Sequence, residues 1–426
     1  MPITFTKNQR EQRVYNMNES YDIIIIGGGP AGLMAGCTAL DRGKKVLIIE
    51  KMERPGRKIL VTGKGRCNVT NNCDNETLLK NIRHNPRFLY GAFNSFGSED
   101  TMEFFEAHGV PLKTERGNRV FPVSDRARDI VDALVNGVDS PNCKIICDRA
   151  EEIIAKDGNA VGVKCQNGDY FADSIILSTG GKSYPQTGSS GDGYEIAKKL
   201  GHSITPIHSG LIPVEIEGKF CQRLMGLSLK NVKLSLFDKK KGKTAYSEQG
   251  EMLFTHFGIS GPLVLSLSMY IDEDRISDFE IHLDLKPALT EKQLDARLLR
   301  ELKENSNKDY INALGSLLPT KLIPQFVGLT EIDSRKKLNQ ISKEEREKII
   351  STLKDIALIP KALRPVEEAI VTVGGVCVKE INPKTMESKL VSGLYFAGEL
   401  IDVDAYTGGF NLQIAFSTGH LAGSNA

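Results

Sequence analysis

Tyr21-Asp22-Ile23-Ile24-Ile25-Ile26-Gly27-Gly28-Gly29-Pro30-Ala31-Gly32, completed by Glu50, is the stretch that decides the fold. Four β-branched residues in a row (Ile23 to Ile26) read as a buried parallel strand. A Gly-x-Gly-x-x-Gly turn follows at once, with Gly27, Gly29 and Gly32 as its glycines. Pro30 suits the first position of a helix, which the pattern carries to about Arg42 and stops at Gly43. Val46-Leu47-Ile48-Ile49 is the next strand, and it ends on Glu50. That places an acid near the ~20 residues past the third glycine where a ribose-binding carboxylate is expected. The glycines let backbone approach a pyrophosphate, and a helix amino terminus meets it with N–H groups and positive potential. Ala31 belongs to the same turn.

The other end of the chain carries a matching signature. Tyr395-Phe396-Ala397-Gly398-Glu399-Leu400-Ile401-Asp402 reads as a strand running into a polar turn. Gly408-Gly409-Phe410-Asn411-Leu412-Gln413 then opens a helix of small and apolar residues to about Ala422. The two ends together point to FAD rather than NAD. The ADP half suits the first βαβ unit, and the isoalloxazine ring suits the amino end of the last helix. Backbone N–H groups near Asn411 and Leu412 face the negative charge a reduced flavin develops. Between the ends, Pro55-Gly56-Arg57-Lys58 and Gly63-Lys64-Gly65-Arg66-Cys67-Asn68 set cations among glycines. Arg57 and Lys58, with Lys51, follow the ribose acid closely, as phosphate partners do. Asp173 to Gly181 reads as a buried strand ending in Thr179-Gly180-Gly181. The expected cofactor set is thus Gly27, Gly29, Pro30, Ala31, Gly32, Glu50, Lys51, Gly56, Arg57, Lys58, Gly65, Arg66, Cys67, Asn68, Thr179, Gly180, Gly181, Gly398, Glu399, Asp402, Gly409, Asn411 and Leu412, holding FAD non-covalently.

Composition narrows the class. The chain has 426 residues, 40% hydrophobic and 26% charged, with a formal net charge of +1. That size suits two or three globular domains, and a near-neutral charge argues against recruitment of nucleic acid or an anionic membrane. No apolar run reaches the ~20 residues of a membrane span, and residues 1–20 lack the apolar core of a signal peptide. They read as an extension preceding the fold. The eight cysteines are scattered and the seven histidines are not spaced with them. A reducing cytoplasm and no metal site fit that scatter. The Lys239-Lys240-Lys241-Gly242-Lys243 run reads as a solvated hairpin tip.

Texture divides the chain into an FAD-binding domain over 21–202 and 367–426, a β-rich domain over 203–288 and 357–366, and a small helical subdomain over 289–356. Within the first, 77–108 reads as helical, 126–137 as a further helix and 143–171 as a strand meander. In the second, 211–218, 227–237, 244–254 and 276–285 read as antiparallel strands.

Several words in order make the chain resemble the bacterial BaiN/YhiN-like flavoproteins, which include NAD(P)/FAD-dependent and aminoacetone-oxidase-like FAD-binding enzymes. They are Gly56-Arg57-Lys58, Gly65-Arg66-Cys67-Asn68, Phe121-Pro122-Val123-Ser124, Gly180-Gly181-Lys182-Ser183-Tyr184-Pro185, Phe254-Thr255-His256-Phe257-Gly258-Ile259-Ser260-Gly261-Pro262, Thr385-Met386-Glu387-Ser388 and Gly408-Gly409-Phe410-Asn411-Leu412-Gln413. The resemblance implies an α/β fold: a glutathione-reductase-like FAD-binding Rossmann domain, an inserted barrel-like antiparallel β domain and a small helical insertion. It fixes cofactor better than substrate, because such relatives reduce unsaturated steroid-like compounds or oxidise amines.

The chemistry needs few side chains, since a flavin carries the hydride itself. Cys67, His256 and Tyr184 are the candidate catalytic residues. Cys67 and Cys73 are spaced Cys-x5-Cys, which does not match the Cys-x4-Cys of disulfide reductases, so reduced thiols are expected. Gly188 to Gly193 is a poor second dinucleotide turn, because Tyr184-Pro185 separates it from the strand before it. NAD(P)H would therefore dock only transiently, or the substrate itself would supply the electrons. The reading is an FAD-dependent oxidoreductase acting on a small organic substrate. The alternatives are a flavin-binding protein without turnover and an RNA-modifying flavoprotein, the last disfavoured by charge.

Overall fold

In the computed structural model, residues 20–426 are described. The extension expected over 1–20 lies outside them, Ser20 apart. The described residues form two compact units, 20–209 with 366–426, and 210–365.

The isoleucine run is the centre of the first unit. Ser20–Ile26 is a strand in which Ile23, Ile24 and Ile25 are fully buried. It pairs in parallel with Val46–Glu50 on one side and Asp169–Leu177 on the other. Cys143–Cys147 extends the parallel order beyond Val46–Glu50. The far edge of Asp169–Leu177 is shared. Its amino half pairs antiparallel with Asn159–Cys165, whose other neighbour is Ala150–Lys156, and its carboxyl half pairs in parallel with Leu394–Phe396. The C-terminal strand thus completes the sheet that the N-terminal strand begins. The result is an α/β FAD-binding Rossmann-type fold with an inserted antiparallel sheet.

Helix Pro30–Asp41 follows the glycine turn, and Gly43 leaves it at φ +76°. It packs against the last helix, Phe410–Asn425, which continues three residues past the expected end. Small residues set that contact. A Cβ on Gly419 would lie 2.3 Å from the carbonyl oxygen of Ala31, and one on Gly423 would lie 2.4 Å from that of Ala35. The two backbones touch, so the end of the chain sits directly on the nucleotide turn.

The stretch 77–108 differs from expectation. It breaks into Asn75–Lys80, the short strand Ile82–His84, a turn at Pro86–Leu89, Tyr90–Ser95 and Ser98–Ala107. Asn85 (φ +54°) before Pro86, and extended Gly97, interrupt the helical repeat. Ile82–His84 instead pairs antiparallel with Asp404–Ala405.

The second unit is built on a seven-stranded antiparallel sheet in the order Ile356–Leu358, Phe279–Asp284, Ser228–Asp238, Lys243–Phe254, Gly258–Ser260, Val214–Ile216, Pro360–Leu363. The two edge strands are separated in sequence by Ile359 alone. The sheet must therefore curl until its edges meet, which gives a barrel-like form. The helices Glu291–Glu304, Tyr310–Ala313, Ile323–Thr330 and Lys343–Lys354 cluster with this sheet as one unit.

Two histidines, the buried His202 and the half-buried His420, are expected to make stability depend on pH. His202 Nε2 lies 2.9 Å from Ser388 Oγ and Nδ1 lies 3.2 Å from Glu380. Ser388 Oγ already accepts N–H bonds from Leu390 and Val391, so its own proton goes to His202 Nε2, which must be unprotonated. His420 stacks on Phe96 and bonds Thr38. Burial, opposed by Glu380 at His202 and by Asp100 and Asp41 at His420, holds both below the ordinary histidine value. The unfolded chain therefore binds protons first as pH falls, and stability is lost below about pH 6.5 and retained above it. The melting temperature is expected to fall between pH 7.5 and 5.5, with a shallower slope in His420→Gln. Equal slopes in the two proteins would remove His420 from this account.

Candidate functional site

The three motif glycines have different physical reasons. Gly27 sits at φ +106°, donates its N–H to Ile49 O at 2.8 Å, and has no room for a Cβ beside Ser178 O at 2.6 Å. A Cβ on Gly32 would come within 1.9 Å of Gly27 O. The protein's own packing thus demands both. Gly29 differs: a Cβ there would meet nothing within 4 Å. Its side faces an open cradle at the helix amino terminus, where Pro30 is the first residue. That is the place a pyrophosphate occupies in such a turn. Ala31 closes the back of the turn, since a Cβ on Gly398 (φ +74°) would lie 2.8 Å from Ala31 Cβ.

Glu50 reaches back across this cradle. Its Oε2 accepts the Gly28 N–H and its Oε1 the Met52 N–H, each at 2.8 Å. Burial pushes its carboxyl upward, opposed by those two N–H groups and by Lys51. Each oxygen keeps a second acceptor position for a ribose hydroxyl. Glu50→Ala is expected to weaken FAD binding about 10–150-fold, the equivalent of ~1.5–3 kcal/mol for one charge-assisted bond. Unchanged affinity in a fluorescence titration would remove Glu50 from the site.

The cations expected on phosphates are mostly engaged elsewhere. Lys51 Nζ is paired with Asp192 at 2.9 Å and also bonds Ser190. Arg149 joins the same Asp192. Gly56, at φ +71°, donates to Gly28 O and holds the loop against the turn. Arg57 is exposed. Lys58 Nζ lies 2.6 Å from Glu399 and 2.7 Å from Ser183 Oγ. Glu399 also accepts the Thr372 N–H at 2.7 Å. Gly181 is required here, because a Cβ would lie 2.3 Å from Thr372 Oγ1. One ion pair thus fastens four separate segments at the carboxyl end of the sheet.

The loop after Arg57–Val61 is unusual in its backbone. Gly63, Lys64, Gly65 and Cys67 all have φ between +55° and +84°. Left-handed geometry at Lys64 and Cys67 costs roughly 1–3 kcal/mol each and is typical of functional loops. Arg66 is committed to Glu115 and Asp125 and lies over the Phe121 ring at 4.2 Å. Asn68 Oδ1 is buried without a partner.

Three further polar groups belong to the same unit. Thr179 Oγ1 and the Tyr194 hydroxyl are buried without partners. Gly180, at φ +73°, carries the chain between them. Burial raises the Asp402 carboxyl, opposed by Asn85, whose Nδ2 bonds it at 3.1 Å. At the far end, Gly409 (φ +98°) presses on Thr70 and opens the last helix. The Asn411 side chain exchanges bonds with the Ala405 backbone at 3.0 and 2.9 Å. Asn411 and Leu412 thus present the first, unpaired N–H groups of the helix. Gln413 was not among the expected site residues. It is fully buried and gathers Thr70, Thr101, Phe96 O and Ser417. Asp192, Tyr194 and Ser183 were likewise missed, and only the Gly-rich word 188–193 hinted at the first two.

The three candidate catalytic residues divide between the units, Cys67 and Tyr184 in the first and His256 in the second. Cys67 is fully buried, and burial pushes its thiol to about 12, opposed by Thr62. Such a thiol stays protonated and sealed, unsuited to nucleophilic or acid–base work. Cys67 and Cys73 are both free thiols. Tyr184 is half-buried at φ +52°, in the same unit as the cradle. His256 is exposed in the turn between Lys243–Phe254 and Gly258–Ser260, edge-on to Phe257, in the second unit.

The residues present fit FAD. Open space beside Gly29, buried polar atoms without partners at Thr179 and Asn68, and a helix amino terminus at the other end suit a long dinucleotide. Among the described residues, no helix is long and apolar enough to cross a membrane.

Comparison with known proteins agrees. The model of the HI0933-like protein Rossmann domain matches residues 21–425. The chain is 30% identical to the 3-dehydro-bile acid delta(4,6)-reductase of Clostridium scindens, over 94% of this chain and 98% of that one. It is 32% identical to the ribosomal RNA dihydrouridine synthase of Escherichia coli, over 94% and 96%. Among solved structures, the 3-ketosteroid delta1-dehydrogenase of Sterolibacterium denitrificans shares the fold, with a TM-score of 0.50 at 11% identity, covering 95% of this chain and 98% of that one.

Proposed function

This chain belongs to the HI0933-like family of FAD-dependent oxidoreductases, and from that premise we propose that it reduces a carbon–carbon double bond conjugated to a carbonyl. The two kinds of relative act on very different molecules, yet the bond is the same. A delta(4) bond in a 3-oxo steroid is conjugated to that oxygen. Uridine becomes dihydrouridine by saturation of the ring double bond beside a carbonyl. The observation that carries the reading within this chain is the Gly29 cradle in one unit with the amino end of Phe410–Asn425.

Reduced FAD held there would supply the hydride for one carbon of such a bond, and the other carbon would take a proton. The chain's own residues do the rest. Glu50 holds ribose hydroxyls, and the turn at Gly27–Gly32 admits the pyrophosphate. Glu399, fixed by Lys58 and Thr372, keeps the four surrounding segments in register. The first N–H groups of the last helix stabilise negative charge placed against them. Tyr184 is the better placed of the candidate proton donors, because it lies in the cofactor-binding unit. Asp192 is occupied by Lys51 and Arg149, so the 188–193 segment offers little to a second dinucleotide. A nicotinamide donor is accordingly proposed as a transient visitor.

The test is anaerobic. Chemically reduced holoenzyme is mixed with a 3-oxo-Δ4 steroid and, separately, with uridine-containing RNA. Reoxidation of the flavin absorbance by at least one of them is expected. Reoxidation by oxygen alone would sink the proposal.

A further inference from the structure

The segment Thr77 to Gly97 contains no acidic residue, yet carries Lys80, Arg83, His84 and Arg87 among Leu79, Phe88, Tyr90 and Phe93. Overall charge conceals this local excess. Its fold sorts the residues by role. Phe88, Leu89 and Phe93 are buried and hold the segment in place. Tyr90 stands 61% exposed, and Lys80 and Arg87 are exposed with it. Together with Leu79, Pro86 and Glu76, these three line an open groove of about 370 Å³. Glu76 is the single acid in that lining, and Lys80 engages it at 2.7 Å. The exposed Tyr90 ring and the two cations thus stand side by side on one face.

The groove is fastened to the ring end of the cofactor site. Ile82–His84 pairs with Asp404–Ala405, where His84 Nδ1 lies 2.6 Å from the buried Asp404. Asn85 donates to Asp402 O at 2.7 Å. Asn411, in the first turn of the last helix, clamps Ala405. A ligand held on this face is therefore anchored within a few residues of the Gly408-Gly409 turn.

We infer that this face binds single-stranded RNA, with a base stacked on Tyr90 and phosphate held by Arg87 and Lys80, and so delivers a uridine to the site. The inference rests on the reductase reading above and names its substrate class. Alternating cations and an exposed ring suit a strand whose charges and bases repeat, because stacking tolerates any base while phosphates meet the cations.

The experiment measures anisotropy of a fluorescein-labelled, unstructured, uridine-containing RNA with FAD-loaded protein at several salt concentrations. Tyr90→Ala is expected to weaken binding roughly 5- to 100-fold, with Tyr90→Phe near wild type. Arg87→Glu is expected to weaken it at least about tenfold and to flatten the salt dependence by about one phosphate contact. FAD content should be unchanged in all three variants, since both residues are exposed and outside the cofactor set. Absence of binding by the wild type, or equal binding by Tyr90→Ala and Arg87→Glu, overturns the inference. The reductase reading is judged separately. If a 3-oxo-Δ4 steroid reoxidises wild type and variants alike while RNA does not bind, the reading stands and this surface falls. If RNA binds through Tyr90 and Arg87 but neither RNA nor steroid reoxidises the flavin, the surface stands and the reading falls.

Discussion

Gly29→Val is expected to yield a folded, soluble protein that fails to retain FAD. The backbone permits the change, because Gly29 has φ −80° and ψ −174°, an extended conformation open to any residue. The protein permits it too, because nothing lies within 4 Å of a Cβ there. The melting temperature of the cofactor-free protein should therefore match that of the native chain. What the side chain takes is space that the pyrophosphate needs. Forcing two such groups together costs ~1–3 kcal/mol, or about 5–150-fold in affinity. The control is Gly32→Val, where a Cβ would stand 1.9 Å from Gly27 O. That variant should lose fold and cofactor together. Equal FAD affinity in Gly29→Val and wild type, by flavin fluorescence on titration, would move the cofactor away from this turn.

The βαβ start was legible because every signal in it is local. Strand, turn, helix and acid all lie between Tyr21 and Glu50. The return of the C-terminal strand to the same sheet was legible for a similar reason, since Leu394–Phe396 repeats the buried style of the opening strand. The pairings of the site were not. Lys58 and Glu399 were both expected to face the cofactor, yet they face each other across hundreds of residues. Nothing in either local sequence encodes that meeting. Arg66 was read as a cofactor-binding residue, and only the fold brings Glu115 and Asp125 to it. Three-residue strands such as Gly258–Ser260 and Ile356–Leu358 are too short to show alternation, so the closure of the second sheet was invisible. Net charge is a sum over 426 residues, and a sum of +1 says nothing about an acid-free stretch such as 77–97.

Gln413 is the residue whose loss should be felt most within the cofactor-binding unit. Its side chain is wholly buried, where an amide must find partners or carry a penalty. Oε1 receives Thr70 Oγ1 at 2.5 Å and Thr101 Oγ1 at 2.9 Å, while Nε2 donates to Phe96 O at 3.2 Å and Ser417 Oγ at 2.9 Å. Thr70 and the 96–101 stretch are thereby tied to the first turn of Phe410–Asn425, next to the Gly409 contact with Thr70. Gln413→Ala empties that volume and strips partners from the hydroxyls. Thr101 retains Gly97 O, and Ser417 retains Phe96 O, so the loss is partial. A destabilisation of about 2–4 kcal/mol is expected from unmet hydrogen bonds and the cavity together. The helix amino end should loosen with it, so flavin fluorescence should rise as the ring loses its fixed surroundings, even at saturating FAD. Gln413→Leu fills the volume but offers no polar group, and should be as destabilising as Gln413→Ala if the bonds dominate. If Gln413→Leu instead melts with the native protein, the network serves packing alone, and the amino end of the last helix is held by Gly409 and Asn411 without it.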